Sequence, residues 1–256
     1  MRDTFGWLLF RYRRELIRLK ITYIHHSSFS VELENAVLLF DYFKGTLPEF
    51  PAGKPLFIFA SHFHADHYDP VIFQLGEKRE NVFYILSKEI GKRIPEEYRK
   101  RYKDRIRLVK AGERFCLNIS EESLIVETFH STDEGVAFWL SCEGKEIYHA
   151  GDLNNWWWEG EDMAWNRNMA ASYKQEMKKL SGRTADLAFI PVDPRLEQWF
   201  YLGAAGFMEQ ADTKWIFPMH FWEDYTIIPK LIEHPSSEGW RDRIVKIHKE
   251  GEEFIR

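Results

Sequence analysis

Short apolar runs alternate with polar turns along most of the chain, a pattern typical of a protein that contains many short strands. The first three runs, at residues 21–24, 29–33 and 36–40, predict a meander that ends in Asp41. Further strands are predicted at residues 55–60, 81–86, 106–109, 114–117, 123–129, 136–140, 145–152, 187–192, 214–220, 244–248 and 252–255.

Helices are predicted between these strands. The dipeptide Asp69-Pro70 supplies a cap and a first helical position for one of them. Others are expected near residues 88–104, 162–180, 203–211 and 227–232. Because both halves of the chain contain strands and helices, we expect an α/β protein in which two sheets pack face to face with helices outside.

Residues 1–19 differ from the rest and are interpreted as a helical N-terminal extension, with residues 20–256 as a single domain. Apolar side chains such as Trp7 and Phe10 alternate there with arginines such as Arg11 and Arg14. A basic amphipathic helix of this kind packs on its own domain, touches a membrane surface or contacts a partner subunit. A homo-oligomer is therefore one open alternative.

The most informative stretch is residues 61–67, which directly follows the apolar run at 55–60. Side chains two apart on an extended chain point the same way, so His62 and His64 can offer nitrogens to one metal ion. Asp66 and His67 are adjacent at a turn and are free to face a second ion. Imidazole and carboxylate suit zinc, iron or manganese, and two ions can share a bridging hydroxide that acts as a nucleophile. The alternative is a surface loop that contains histidines by chance.

Composition narrows the class of protein. The chain has 256 residues, 45% of them hydrophobic, and a net charge of −5, which argues against a nucleic-acid partner and favours a small-molecule substrate. No run approaches the roughly 20 apolar residues that a membrane span requires. The two cysteines, Cys116 and Cys142, lack a metal-ligand spacing and favour a reducing, cytoplasmic compartment, with one disulfide as the alternative.

The run His62-x-His64-x-Asp66-His67 resembles the signature of the metallo-β-lactamase superfamily of dinuclear metallohydrolases. This resemblance implies a four-layer αββα sandwich and two divalent metal ions, with zinc as the first choice and manganese or iron as alternatives. The segments at residues 26–28, 148–152 and 218–220 look most like the ascorbate-6-phosphate-lactonase-like branch. The absence of a suitably placed cysteine argues against the best-known β-lactamases, and His64 argues against the oxygen-reducing di-iron branch.

The resemblance also implies a role for individual residues. The first metal would be held by His62, His64 and His130, the second by Asp66, His67 and His220, and both by Asp152 as a bridge. Asp66 and Asp152 would also be the catalytic carboxylates, since they hold the nucleophile. Asp41 is expected to support the histidine loop as a hydrogen-bond acceptor, or else to be an ordinary turn residue. His26 is expected beneath the metal site at most, or as a structural donor.

Substrate contacts are predicted from aromatic and cationic residues near these ligands. Among the indoles that follow Asp152, Trp156 and Trp157 are candidates to cover the cleft, with core filling as the alternative. Arg195 is a candidate for binding a phosphate or carboxylate, or else a surface arginine. Trp222 is expected to border the site.

The predicted function is therefore that of a metal-dependent hydrolase in which a metal-bridging hydroxide attacks a lactone or related ester. Two alternatives stay open. One is a phosphodiesterase that acts on a lipid or nucleotide, and the other is a metal-binding protein without catalytic activity.

Overall fold

Strand pairing organises the structure, a computed structural model that describes residues 19–119 and 122–256. The predicted N-terminal helix lies outside these residues, apart from Leu19. No helix in the described part of the chain is long and apolar enough to cross a membrane.

The first sheet contains seven strands in the order β13-β1-β2-β3-β4-β5-β6. Neighbours are antiparallel from β13 to β3 and parallel from β3 to β6. The strands span Lys20–His25 (β1), Ser28–Glu32 (β2), Val37–Phe40 (β3), Leu56–Ala60 (β4), Val82–Ser87 (β5), Ile106–Val109 (β6) and Glu253–Ile255 (β13).

The second sheet contains six strands in the order β12-β11-β10-β9-β8-β7. Its neighbours are antiparallel from β7 to β10 and parallel from β10 to β12. The strands span Arg114–Ile119 (β7), Glu122–His130 (β8), Val136–Cys142 (β9), Lys145–His149 (β10), Thr184–Pro191 (β11) and Asp212–Met219 (β12).

Aromatic side chains fill the space between the two sheets. The rings of Phe29 and Phe189, one from each sheet, are 4.7 Å apart, and those of Phe59 and Phe138 are 5.2 Å apart. Alternate residues of β4 point the other way, so Ile58 belongs to a separate apolar cluster on the outer face of the first sheet. The sequence pattern of β4, apolar at every position, follows from burial on both faces.

Helices cover both outer faces and complete four layers, which confirms the predicted αββα sandwich. On the second sheet, the ring of Tyr148 stacks 4.9 Å from Phe207 of a covering helix. The helices span Leu75–Lys78, Glu96–Arg101, Met163–Lys178, Leu202–Gln210 and Ile227–Glu233, and the 3-10 helices span Pro70–Gln74, Lys88–Lys92, Pro194–Trp199, Pro235–Ser237 and Arg241–Arg243.

One predicted strand, at residues 244–248, is wrong. Ile244 forms a single isolated bridge with Ile216 of β12, and residues 244–248 belong to no named strand. The apolar residues there are buried as an irregular segment, which a sequence pattern cannot distinguish from a short strand.

Candidate metal centre

Polar side chains gather where strands of both sheets end. Asp41 directly follows β3, His62 lies just after β4, Asp152 lies just after β10, and His220 directly follows β12. The carboxyl ends of parallel strands share one edge of a sheet, and the loops there are free to carry side chains that the core excludes. The two sheets therefore present their polar loops at the same edge of the sandwich.

Two clusters of side chains that could each hold a metal ion form at this edge. Within each cluster, one ligand atom per residue lies within 4.8 Å of the others. The first cluster contains His62, His64, Asp133 and Asp152, and the second contains His26, Asp66, His67 and His220. Both clusters combine imidazole with carboxylate, which suits zinc, manganese or iron.

The Asp152 carboxylate lies between the two clusters. Its Oδ2 is 3.5 Å from Nε2 of His62, while its Oδ1 is 3.2 Å from Nε2 of His67 and 3.4 Å from Nε2 of His220. The residue before it, Gly151, has a φ of +51° and lies so close to Ser61 that a Cβ would come within 2.6 Å of that side chain. One oxygen therefore faces each cluster, as a bridging ligand requires.

Four buried polar atoms in these clusters have no hydrogen-bond partner among the described residues. They are Nε2 of His26, His67 and His220, and Oδ1 of Asp152. A buried polar atom without a partner costs about 1–3 kcal/mol, so four in one place need an explanation. A cation bound among them would satisfy all four, and the residues present therefore fit a metal ion.

Asp41 contacts the loop at residues 61–67, which carries His62, His64 and His67. Its Oδ1 accepts a hydrogen bond from the Ser61 backbone N–H at 2.7 Å, and its Oδ2 accepts one from the Ser61 hydroxyl at 2.7 Å. The same Oδ2 is 2.8 Å from Nδ1 of His67. Because a carboxylate accepts the proton on Nδ1, Nε2 of His67 is left to face the cluster. Asp41 thus accepts hydrogen bonds from the loop that carries the histidines, and its support of metal ligands stays a prediction.

A second carboxylate, Asp193, plays the same part for His220. Asp193 follows β11 and is completely buried, and its Oδ2 is 3.0 Å from Nδ1 of His220. Asp193 is not among the site residues predicted from the sequence. A signal was present, because Asp193 is an acid that closes a buried strand, as Asp41 and Asp152 do.

Four histidines of the two clusters fall into two groups, one with a lowered pKa and one with a raised pKa. Burial lowers the pKa of His26 to about 4 and that of His62 to about 3. Burial also lowers the pKa of His67 and His220, but the charge of Asp152 and the contacts with carboxylates together outweigh it. They raise the pKa of His67 well above its usual value and that of His220 to about 9. The same histidines hold the pKa of buried Asp152 well below its usual value.

His130 is not where the sequence analysis predicted it. It ends β8, is exposed, and belongs to neither cluster in the described part of the chain. Its neighbour Phe129 enters the core, and successive residues of a strand point to opposite faces, so the His130 side chain points away. It lines a different cavity, together with Lys88, Lys92 and Lys110.

Asp133, and not His130, lies in the first cluster. The loop between β8 and β9 closes through a hydrogen bond from the Ser131 N–H to the Gly135 carbonyl oxygen, 3.3 Å, and carries Asp133 toward His64. Asp133 Oδ2 lies 3.5 Å from Nδ1 of His64. Partial burial raises the pKa of Asp133, and the nearby charge of Asp152 raises it further. An acid in a polar loop gives little sequence signal, so it was missed.

His26 is closer to the site than predicted. It occupies the turn between β1 and β2 with a φ of +53°, and its ring centroid is 4.1 Å from that of His220. Its Nε2 lies 3.4 Å from Oδ2 of Asp66. His26 therefore has the position of a possible ligand in the second cluster, not merely that of a residue beneath it.

A cavity of about 590 Å³ opens over both clusters. Of the four predicted substrate contacts, Trp156, Arg195 and Trp222 line it. Trp157 does not, because its ring packs 5.4 Å from Trp199 outside the cavity. Three further side chains line the cavity without having been predicted from the sequence, those of Trp158, Trp165 and Met169.

Comparisons with known proteins agree with this architecture. The family model described as "Beta-lactamase superfamily domain" matches residues 20–220. A UPF0173 metal-dependent hydrolase from Alkaliphilus metalliredigens is 24% identical over 252 residues, covering 90% of this chain and 96% of the relative.

Two solved structures share the fold. Igni18, a metallo hydrolase from Ignicoccus hospitalis, is 17% identical with a TM-score of 0.62, covering 93% of this chain and 98% of the other. YhfI, a metallo-β-lactamase fold protein from Bacillus subtilis, is 13% identical with a TM-score of 0.54, covering 94% of this chain and 100% of the other.

Proposed function

We propose, from the premise that this chain belongs to the β-lactamase superfamily of metal-dependent hydrolases, that it hydrolyses a lactone or related ester at a site for two divalent metal ions. The observation that carries this proposal is the set of four buried, unpartnered atoms on His26, His67, His220 and Asp152, of which His220 and Asp152 line the cavity.

The two clusters supply the proposed ligands. His62, His64 and Asp133 would hold one ion, and Asp66, His67 and His220, with His26 as a possible further ligand, would hold the other. Asp152 would contact both. Zinc remains the first choice and manganese or iron the alternatives, since each accepts imidazole and carboxylate.

Two bound divalent ions would supply Lewis acidity, which polarises a substrate oxygen and acidifies water at neutral pH. The protein's own groups position the reaction. The side chain of Asp66 is 26% exposed. Partial burial raises its pKa, but His26, 3.4 Å away, and the charges of His67 and His220 together lower it. An ionised carboxylate in the cavity can accept a hydrogen bond from the attacking water and orient it.

The cavity supports an ester or lactone more than a nucleic acid. Its lining contains indole rings and Arg195 as its one arginine or lysine among the described residues, and the whole chain carries a net charge of −5. A phosphodiesterase that acts on a small lipid or nucleotide is the second candidate, and Arg195 is the feature that favours it. Membership of the lactonase-like branch is also a proposal, and so is a location in the cytoplasm.

Metal analysis of protein purified without chelators, followed by assays on lactones, aryl esters, thioesters and phosphodiesters, tests the proposal. Two metal ions per chain and turnover of a lactone or ester are expected. Turnover of phosphodiesters alone would favour the second candidate. Two ions with no turnover on any member of the panel would count for a metal-binding protein without catalytic activity.

A further inference from the structure

Arg195 stands in the cavity in a fixed orientation. The Asp193 carboxylate accepts hydrogen bonds from Nε of Arg195 at 3.0 Å and from one terminal nitrogen, Nη2, at 2.5 Å. It also accepts one from the Arg195 backbone N–H at 2.8 Å. The other terminal nitrogen, Nη1, makes no hydrogen bond to a described residue, and the side chain is 48% exposed. An arginine held along one edge in this way can present its other edge to a ligand.

Asp193 also fixes Arg195 relative to the metal centre. The same carboxylate oxygen that accepts from Nη2 lies 3.0 Å from Nδ1 of His220. Because Asp193 is completely buried, the position of Arg195 is coupled to that of a proposed metal ligand. A ligand group bound by Arg195 would therefore sit at a defined place beside the reacting bond.

Indole rings flank the guanidinium group. The guanidinium carbon lies 4.6 Å from the ring centroid of Trp222 and 5.6 Å from that of Trp158. Both distances are within the range of cation–π contacts, which keep an arginine extended while leaving its nitrogens accessible. The cation and the aromatic wall consequently form one continuous surface.

A flat apolar wall continues from this surface. Trp156 and Trp158 stack with their ring planes 6° apart and their centroids 6.1 Å apart, and the Trp156 indole N–H donates to the Asp152 carbonyl oxygen at 3.0 Å. Trp165 and Met169 extend the wall from the Met163–Lys178 helix, and Trp165 remains 39% exposed. Exposed indoles beside a cavity favour a planar or apolar ligand group.

We infer, resting on the proposed hydrolase function, that the substrate carries both a planar apolar group and an anionic oxygen group next to the hydrolysed bond. Arg195 binds the anionic group, and Trp156 and Trp158 contact the apolar group. Arg195 is thus a specificity-determining residue, and Asp193 is the residue that positions it.

Binding of simple probes tests this inference without requiring turnover. Isothermal titration calorimetry of the metal-containing protein would compare 2-naphthoate, its neutral analogue 2-naphthamide, and acetate. 2-Naphthoate carries both the ring and the anion, so we expect it to bind at least tenfold more tightly than 2-naphthamide or acetate. In Arg195→Gln the advantage of 2-naphthoate over 2-naphthamide should fall by about tenfold to a hundredfold.

Further variants separate the two contacts. Arg195→Lys should keep part of the preference for the anion, and Trp158→Ala should weaken both naphthalene probes alike. Arg107→Gln is the matched control, because Arg107 also lies over an aromatic ring, at 3.5 Å from the Phe115 centroid, but away from the cavity. Metal content and circular dichroism equal to wild type would show that each variant folds.

Unchanged binding of 2-naphthoate by a folded, metal-containing Arg195→Gln would overturn the inference, since the metal ions would then hold the carboxylate. Failure of the wild type to bind either naphthalene probe would overturn it too. If 2-naphthoate binds through Arg195 but no ester or lactone is hydrolysed, the anionic binding site stands and the hydrolase proposal fails.

Discussion

Oδ2 of Asp41 lies 2.8 Å from Nδ1 of His67, and both side chains are completely buried. Asp41 directly follows β3, and His67 lies in the loop after the neighbouring strand β4. It leaves Nε2 of His67 without a hydrogen-bond partner among the described residues and only 3.2 Å from Asp152 of the second sheet. The pair therefore aims a proposed ligand at the junction between the two sheets.

Removing the charge of Asp41 should weaken metal binding. In Asp41→Asn, the amide cannot accept hydrogen bonds from Ser61 and His67 as the carboxylate does, so the ring of His67 loses its support. We expect metal affinity to fall by about 10–100-fold, measured by competition with a chromophoric chelator. Asp69→Asn, which alters an exposed helix cap, is the control and should bind metal as wild type does. Equal affinities in both variants would contradict the role of Asp41.

Asp152→Ala should remove the contact between the two clusters. Because Asp152 has one oxygen toward each, the variant is expected to lose one or both metal ions and all hydrolysis. Inductively coupled plasma mass spectrometry gives the metal content, and the most active substrate of the panel gives the rate. A variant with full metal content and full rate would show that Asp152 is not a ligand.

His130 and Asp133 form a paired test of the first cluster. Asp133→Ala should lower the metal content, since Asp133 lies 3.5 Å from His64. His130→Ala should retain the metal content of wild type, because the exposed side chain lines another cavity. Metal content of the two variants, measured side by side, distinguishes the structure from the sequence-based prediction. The reverse result would restore His130 as the third ligand.

Gly135→Ala should destabilise the loop that carries Asp133. Gly135 has a φ of +73°, and a Cβ there would overlap the Ser61 carbonyl oxygen and come within 2.7 Å of the His62 Cβ. Strain and overlap together should lower the free energy of unfolding by roughly 2–4 kcal/mol, measured by urea denaturation.

Gly112→Ala is the control for backbone strain alone. Gly112 has a φ of +82°, but a Cβ there would meet no atom within 4 Å. This variant should lose only about 1 kcal/mol and retain its metal. If the two variants were equally stable, close packing against Ser61 would not be what requires glycine at position 135.

The fold and most of the centre could be predicted because their signals are local. Apolar runs bounded by turns gave the strands, and the density of histidine and aspartate at residues 61–67 marked the loop after β4. Asp152 and His220 end apolar strands, and the structure places both beside that loop. The resemblance to a known family indicated which of these distant segments come together at the metal centre.

The sequence by itself determined which segments become strands and which loops carry imidazole and carboxylate, since both follow from short-range patterns. The tertiary structure alone placed Asp133 beside His64, placed His26 against His220, and brought Asp193 to both His220 and Arg195. These outcomes depend on which face of a strand a residue occupies and on how a loop closes over its neighbours. Such contacts join residues far apart in the chain, and no local pattern records them.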